Sequence, residues 1–63
     1  RGWTALHYAA WRGNVKMIAY LVKNGANLNS RTDNGYSPLI IARRYSKFRA
    51  INYLKKVMAE KNK

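Results

Sequence analysis

Gly2-Trp3-Thr4-Ala5-Leu6-His7-Tyr8-Ala9-Ala10 and, thirty-three residues further on, Gly35-Tyr36-Ser37-Pro38-Leu39-Ile40-Ile41-Ala42 are the two stretches whose reading decides the fold. Sliding the chain against itself by that distance superposes Gly2 on Gly35, Leu6 on Leu39, Ala9 on Ala42 and Ile18 on Ile51. It also superposes Tyr20 on Tyr53, Leu21 on Leu54, Lys23 on Lys56, Ala26 on Ala59 and Asn29 on Asn62. Nine of thirty overlapping pairs are identical, where random pairing at ordinary composition gives roughly two. Trp3/Tyr36, Thr4/Ser37, Val15/Phe48 and Lys16/Arg49 add conservative matches. A period of this length marks stacked units that cannot bury their apolar faces alone.

Within each unit the local signals predict helix, turn, helix, loop. Thr4 is placed to cap a short apolar helix carrying Ala5, Leu6, Ala9 and Ala10 and reaching about Arg12. Gly13 and Asn14 break it. Val15, Ile18, Leu21 and Val22 recur at helical spacing, and Asn24-Gly25 supplies a stop. Residues 25–35, rich in Gly, Asn, Ser and Asp, read as a turn-bearing loop. Ser37 then caps a second unit with Pro38 at the first helical position, where its missing N–H is harmless.

With these residues in place the chain resembles two ankyrin repeats. Gly2 to Ala10 is similar to the family's G-x-T-P-L-H-x-A-A opening. Gly13-Asn14-Val15 and Leu21-Val22-Lys23-Asn24-Gly25-Ala26-Asn27-Leu28-Asn29 resemble its second helix and closing segment. The resemblance implies an all-α, ankyrin-type α-solenoid: two helix-turn-helix repeats joined by a hairpin-like loop. It divides the chain into a first repeat over residues 1–31, without its N-terminal finger, and a second over residues 32–63. The second departs from the pattern at Ile40 (for His), Arg43 (for the second Ala), Ser46 (for Gly), Lys55 (for the second Leu) and Met58 (for Gly). Arg and Lys are costly if covered and harmless if wet. This unit therefore reads as a C-terminal capping repeat with a polar outer face and a basic tail. Lacking a Gly stop, its last helix is expected to run from about Lys47 toward Lys61.

Composition narrows the function. Among 63 residues are thirteen Lys or Arg, two acids, one histidine and no cysteine, for a formal charge of +11. The absence of cysteine argues against a disulfide-stapled secreted scaffold and points to an intracellular setting. His7, Asp33 and Glu60 assemble neither a metal cluster nor a carboxylate dyad. No nucleophile, base and orienting group come together, so the reading is non-enzymatic, with no metal and no cofactor. The longest apolar run, Met17 to Val22, is far short of a membrane span. The chain opens at Arg1 rather than Met and is expected to be a segment or a processed product.

The family's binding edge, carried over position by position, makes Trp3, Trp11, Arg12, Arg31, Asp33, Asn34, Tyr36, Arg44 and Tyr45 the candidate partner contacts. Trp, Tyr and Arg, the types enriched in interface hot spots, dominate this set. The competing structural reading folds Trp11 over the adjacent helix and packs Trp3 on a preceding repeat. His7 reads as structural, three residues after Thr4, where imidazole and hydroxyl can pair at the helix start. Tyr20 and Tyr53 read as packing residues.

Arg43, Lys47, Arg49, Lys55, Lys56, Lys61 and Lys63 form a second set, suited to acidic protein or to phosphate. From residue 43 onward eight cations face the single Glu60. Two functions compete on this footing. One is a protein-interaction module, the C-terminal part of an ankyrin array that binds an acidic or mixed surface. The other is a basic component of a ribosome-like ribonucleoprotein that contacts RNA phosphates. A third treats residues 43–58 as a basic amphipathic helix for a membrane surface or a calmodulin-like acceptor. It is disfavoured because the stripe Phe48, Ile51, Leu54 and Met58 is needed as the repeat's core face. Two repeats are also fewer than a stable array usually needs, so upstream repeats or an assembly neighbour are expected to support the fold. The isolated 63-residue chain should accordingly melt broadly by circular dichroism; a sharp transition well above room temperature would show it to be self-sufficient.

Overall fold

The computed structural model describes residues 2–61, with side chains as far as Glu60. Four helices follow one another: α1 (Ala5–Arg12), α2 (Val15–Lys23), α3 (Pro38–Arg44) and α4 (Phe48–Lys61). No strand occurs among the described residues. None of these helices is long and apolar enough to cross a membrane.

The starts of α1, α2 and α3 and the end of α1 each have a local cause. Thr4, in extended conformation, accepts the His7 N–H at its hydroxyl and opens α1. Gly13 ends α1 in the left-handed region at φ 69°, with its N–H on the Ala10 carbonyl. Asn14 caps α2 by accepting the Met17 N–H at 3.1 Å. Since only Gly13 and Asn14 separate the two helices, α2 must fold back along α1. Ser37 opens α3 by accepting the Ile40 N–H at 3.2 Å, ahead of Pro38. The reversal into α4 repeats the first turn bond for bond. The Lys47 N–H reaches the Ala42 carbonyl at 2.9 Å, as the Asn14 N–H reaches that of Ala9 at 3.0 Å.

The two hairpins stack, α3 against α1 and α4 against α2. Leu6, Ile18, Ile41 and Leu54 fill the space between them and are fully buried. Small residues, Ala9, Ala10, Ala42 and Ala50, let the backbones approach. Positions one repeat apart show what a neighbour covers. Ala10 is buried against the next unit, whereas its equivalent Arg43 is exposed; Val22 is half-buried, whereas Lys55 is exposed. The apolar stripe expected on α4 shifts accordingly. Ala50, Leu54 and Val57 face the core, Ile51 and Met58 flank it, and Phe48 points out with 71% of its surface exposed. Phe48 is the first residue of α4, and its place on the expected stripe does not turn it into the core.

Between the hairpins the chain projects a finger. The Thr32 N–H bonds the Tyr36 carbonyl at 2.9 Å and the Gly35 N–H bonds the Thr32 carbonyl at 2.8 Å, closing a tight turn over Asp33 and Asn34. Gly2 lies against that tip: a Cβ there would sit 3.0 Å from the Asp33 carboxylate and 3.2 Å from its backbone nitrogen.

Ser46 is the exception to this local economy. It holds φ 56° where the first repeat has Gly13, and a side chain in the left-handed region costs about 1–2 kcal/mol. Ser46→Gly should therefore stabilise the chain by about 0.5–1 kcal/mol after the entropy of an added glycine. Gly13→Ala should destabilise it by about 1–2 kcal/mol. Urea titrations followed by helical ellipticity check both signs.

Candidate functional site

The site grows from the joint between the repeats. His7 is wholly buried, which an imidazole tolerates only with both nitrogens paired. The Thr4 backbone N–H donates to His7 Nδ1 at 3.1 Å, and the Thr4 hydroxyl lies 2.9 Å from the same nitrogen. With Thr4 accepting the His7 N–H, this completes a reciprocal helix cap in which His takes the place usually held by Glu or Gln. On the other side, His7 Nε2 lies 2.8 Å from the Tyr36 carbonyl. One partner can only donate and the other can only accept, so the proton sits on Nε2. The ring thus ties the start of α1 to the base of the next finger.

Tyr36 carries that joint to the surface. Its N–H donates to the Thr32 hydroxyl at 3.1 Å, and its half-buried ring lies 4.9 Å beneath the Arg44 guanidinium. Such a cation–π contact contributes about 0.5–1 kcal/mol at an exposed site. Beside it, Trp11 at the end of α1 meets Tyr45 after α3 edge to face, ring centroids 6.4 Å apart. Both rings remain largely open, at 41% and 50% exposure. Arg12 and Arg44 are exposed on the same two helix ends.

The remaining candidates fall elsewhere. Trp3 is half-buried and packs on this chain's own core, 4.9 Å from the Tyr8 ring and 6.0 Å from that of His7. Arg31 is exposed but donates to the Gly35 carbonyl at 2.9 Å, bracing the finger. Asp33 and Asn34 stand at its tip. Of the basic set, Arg43, Arg49, Lys55 and Lys56 are exposed. Lys47 is half-buried, its aliphatic stem lying over Gly13. The Lys61 side chain and Lys63 lie outside the described residues. Tyr53 packs against the core as expected. Tyr20 does not: 63% of it is exposed.

Tyr8 was not among the expected contacts, yet it is more exposed than Trp11 and lies against Trp3. Its place one helical turn before Trp11 and Arg12 on α1 is the signal that could have found it.

The family model described as ankyrin repeats (3 copies) matches residues 1–63. The chain belongs to the ankyrin-repeat family. Among similar proteins, Ankyrin repeat and SOCS box protein 3 of Bos taurus is 46% identical over 44 residues, covering 70% of this chain and 8% of that protein. Protein glp-1 of Caenorhabditis elegans is 33% identical over 54 residues, 86% of this chain and 4% of that protein. Calmodulin-binding transcription activator 6 of Arabidopsis thaliana is 53% identical over 34 residues, 54% of this chain and 4% of that protein. The chain therefore spans less than a tenth of the length of these relatives. Ankyrin repeats are generally protein–protein interaction modules and are typically non-catalytic.

Because His7 serves both the helix cap and the joint between these ankyrin repeats, His7→Ala should cost about 2–4 kcal/mol by leaving Thr4 N–H and the Tyr36 carbonyl without it. A long-range nitrogen–proton correlation spectrum should place the imidazole proton on Nε2.

Proposed function

We propose that the edge formed by the ends of α1 and α3 binds a polypeptide segment bearing acidic and apolar side chains. The Trp11–Tyr45 pair carries this reading. Two large rings meet at a surface rather than in a core, held by the stacking of the repeats, with cations on both sides. Such an edge offers apolar area at low entropic cost, since aromatic side chains have few rotamers to lose. Arg12 and Arg44 offer forked donors to carboxylates. Tyr36 keeps Arg44 in place over its ring, so part of the cost of ordering that side chain is met before a partner arrives.

Arg31, Asp33 and Asn34 extend the proposed surface along the finger. Arg31 acts there chiefly as a brace, and Trp3 with Tyr8 forms a separate aromatic corner. Some relatives point the same way by name: one is a calmodulin-binding transcription activator, and another, 44% identical over 41 residues, is protein phosphatase 1 regulatory subunit 27 of Mus musculus. Both names place the relative with a protein partner, which supports a protein ligand for this chain.

Selection from a random peptide library displayed on phage, with the chain immobilised, should enrich sequences combining Asp or Glu with an aromatic or Leu. Trp11→Ala or Tyr45→Ala should weaken the selected peptides about tenfold or more, the scale of a hot-spot residue. Asn52→Ala on α4 should leave them unchanged. Equal binding by the wild-type chain and both aromatic variants would remove this edge from consideration.

A further inference from the structure

The opposite face of the molecule carries a second pattern. Lys16, Tyr20 and Lys23 on α2 recur one repeat later as Arg49, Tyr53 and Lys56 on α4. The second repeat abandons Ala10, Gly13 and Val22 for Arg43, Ser46 and Lys55, yet keeps a cation, a tyrosine and a cation at these three positions. Tyr53 packs on the core, but packing requires none of the others, because Lys16, Tyr20, Lys23, Arg49 and Lys56 are all exposed. Phe48 adds an open ring at the head of α4 beside Arg49.

Since α2 and α4 pack side by side, their solvent sides form one surface. Cations seven residues apart on a helix stand about 10 Å apart along its axis, with the tyrosine between them. The chain's only acids are Asp33, at the finger tip, and Glu60, near the end of α4.

We infer that this face is a binding site for single-stranded nucleic acid, with Lys16, Lys23, Arg49 and Lys56 on phosphates and Tyr20 and Phe48 under unpaired bases. A single strand presents anionic groups and flat apolar ones in alternation, and that is what cations interleaved with open rings match. An acidic polypeptide would satisfy the cations but leave two open rings without a flat partner. A lipid surface needs a continuous apolar face to insert. On α4 that face, Ala50, Leu54 and Val57, is spent in the core.

The test is fluorescence anisotropy of a short labelled oligouridylate with the chain, across a salt series. The slope of log K against log salt should be about −3, for roughly four phosphates neutralised. Lys23→Gln with Lys56→Gln should reduce that slope by about 1.4. Arg12→Gln with Arg44→Gln, which removes the same charge from the peptide-binding edge, should spare the oligonucleotide and cost the library-selected peptides. Tyr20→Ala should weaken oligonucleotide binding about tenfold through lost stacking. All variants lie on exposed positions and should keep the wild-type helical ellipticity. Equal losses from the two double variants would show attraction to net charge alone and overturn the site. Polyglutamate competing as well as oligouridylate of equal charge, with Tyr20→Ala silent, would assign the face to acidic protein instead. Tighter capture by phosphatidylserine vesicles than by the oligonucleotide would assign it to a membrane. Either result overturns the proposal.

Discussion

One imidazole, without exposure to water, holds the two repeats in register. His7 closes the cap of its own helix through Nδ1 and grips the next finger through Nε2, so a local and a long-range requirement fall on a single ring. A buried polar group with one nitrogen unpaired would be costly. The helix start and the finger base must therefore form together or not at all. Much else follows from that coupling. Tyr36 is fixed because its carbonyl is held, Arg44 lies over the ring so fixed, and Trp11 and Tyr45 meet because α1 and α3 are brought side by side.

The two proposed surfaces use different physics. On the edge at the ends of α1 and α3, Trp11 already meets Tyr45 and Arg44 is held over Tyr36, an arrangement suited to a shaped polypeptide ligand. On the outer face the rings stand apart and the cations are spaced along helix axes, an arrangement suited to a regular polyanion. One lies at the ends of α1 and α3 and the other on the solvent sides of α2 and α4, so the two proposals can be tested separately.

Helices were legible in this sequence where a short-range rule decides them. Thr4, Ser37-Pro38 and the Gly13-Asn14 break each act within one turn, and the structure starts and stops helices where they predict. Orientation about a helix axis was less legible. Phe48, Ile51, Leu54 and Met58 have helical spacing, but so do Ala50, Leu54 and Val57, and only the position of α2 chooses between the two sets. Tyr20 misled for the same reason, since its identity with Tyr53 does not reveal that one ring meets the core and the other does not. The Tyr36 carbonyl as partner of His7 was invisible because the two are 29 residues apart and backbone acceptors carry no sequence signature. The exposure of Tyr8 has a sequence signal in its register with Trp11, one helical turn away on α1.

Ile40 occupies in the second repeat the place His7 holds in the first. Stability in such arrays is close to a sum of repeat terms and nearest-neighbour terms, and this substitution deletes one of the latter on one side only. Isoleucine can neither cap Ser37 reciprocally nor reach for a following finger. The joints on the two sides of the second repeat are thus unequal in kind. The His7–Tyr36 hydrogen bond couples the two repeats equally in both directions, while a unit stacked on the second repeat would have to be held by packing contacts alone. The difference between a polar joint and a greasy one is set by a single branched hydrocarbon, Ile40.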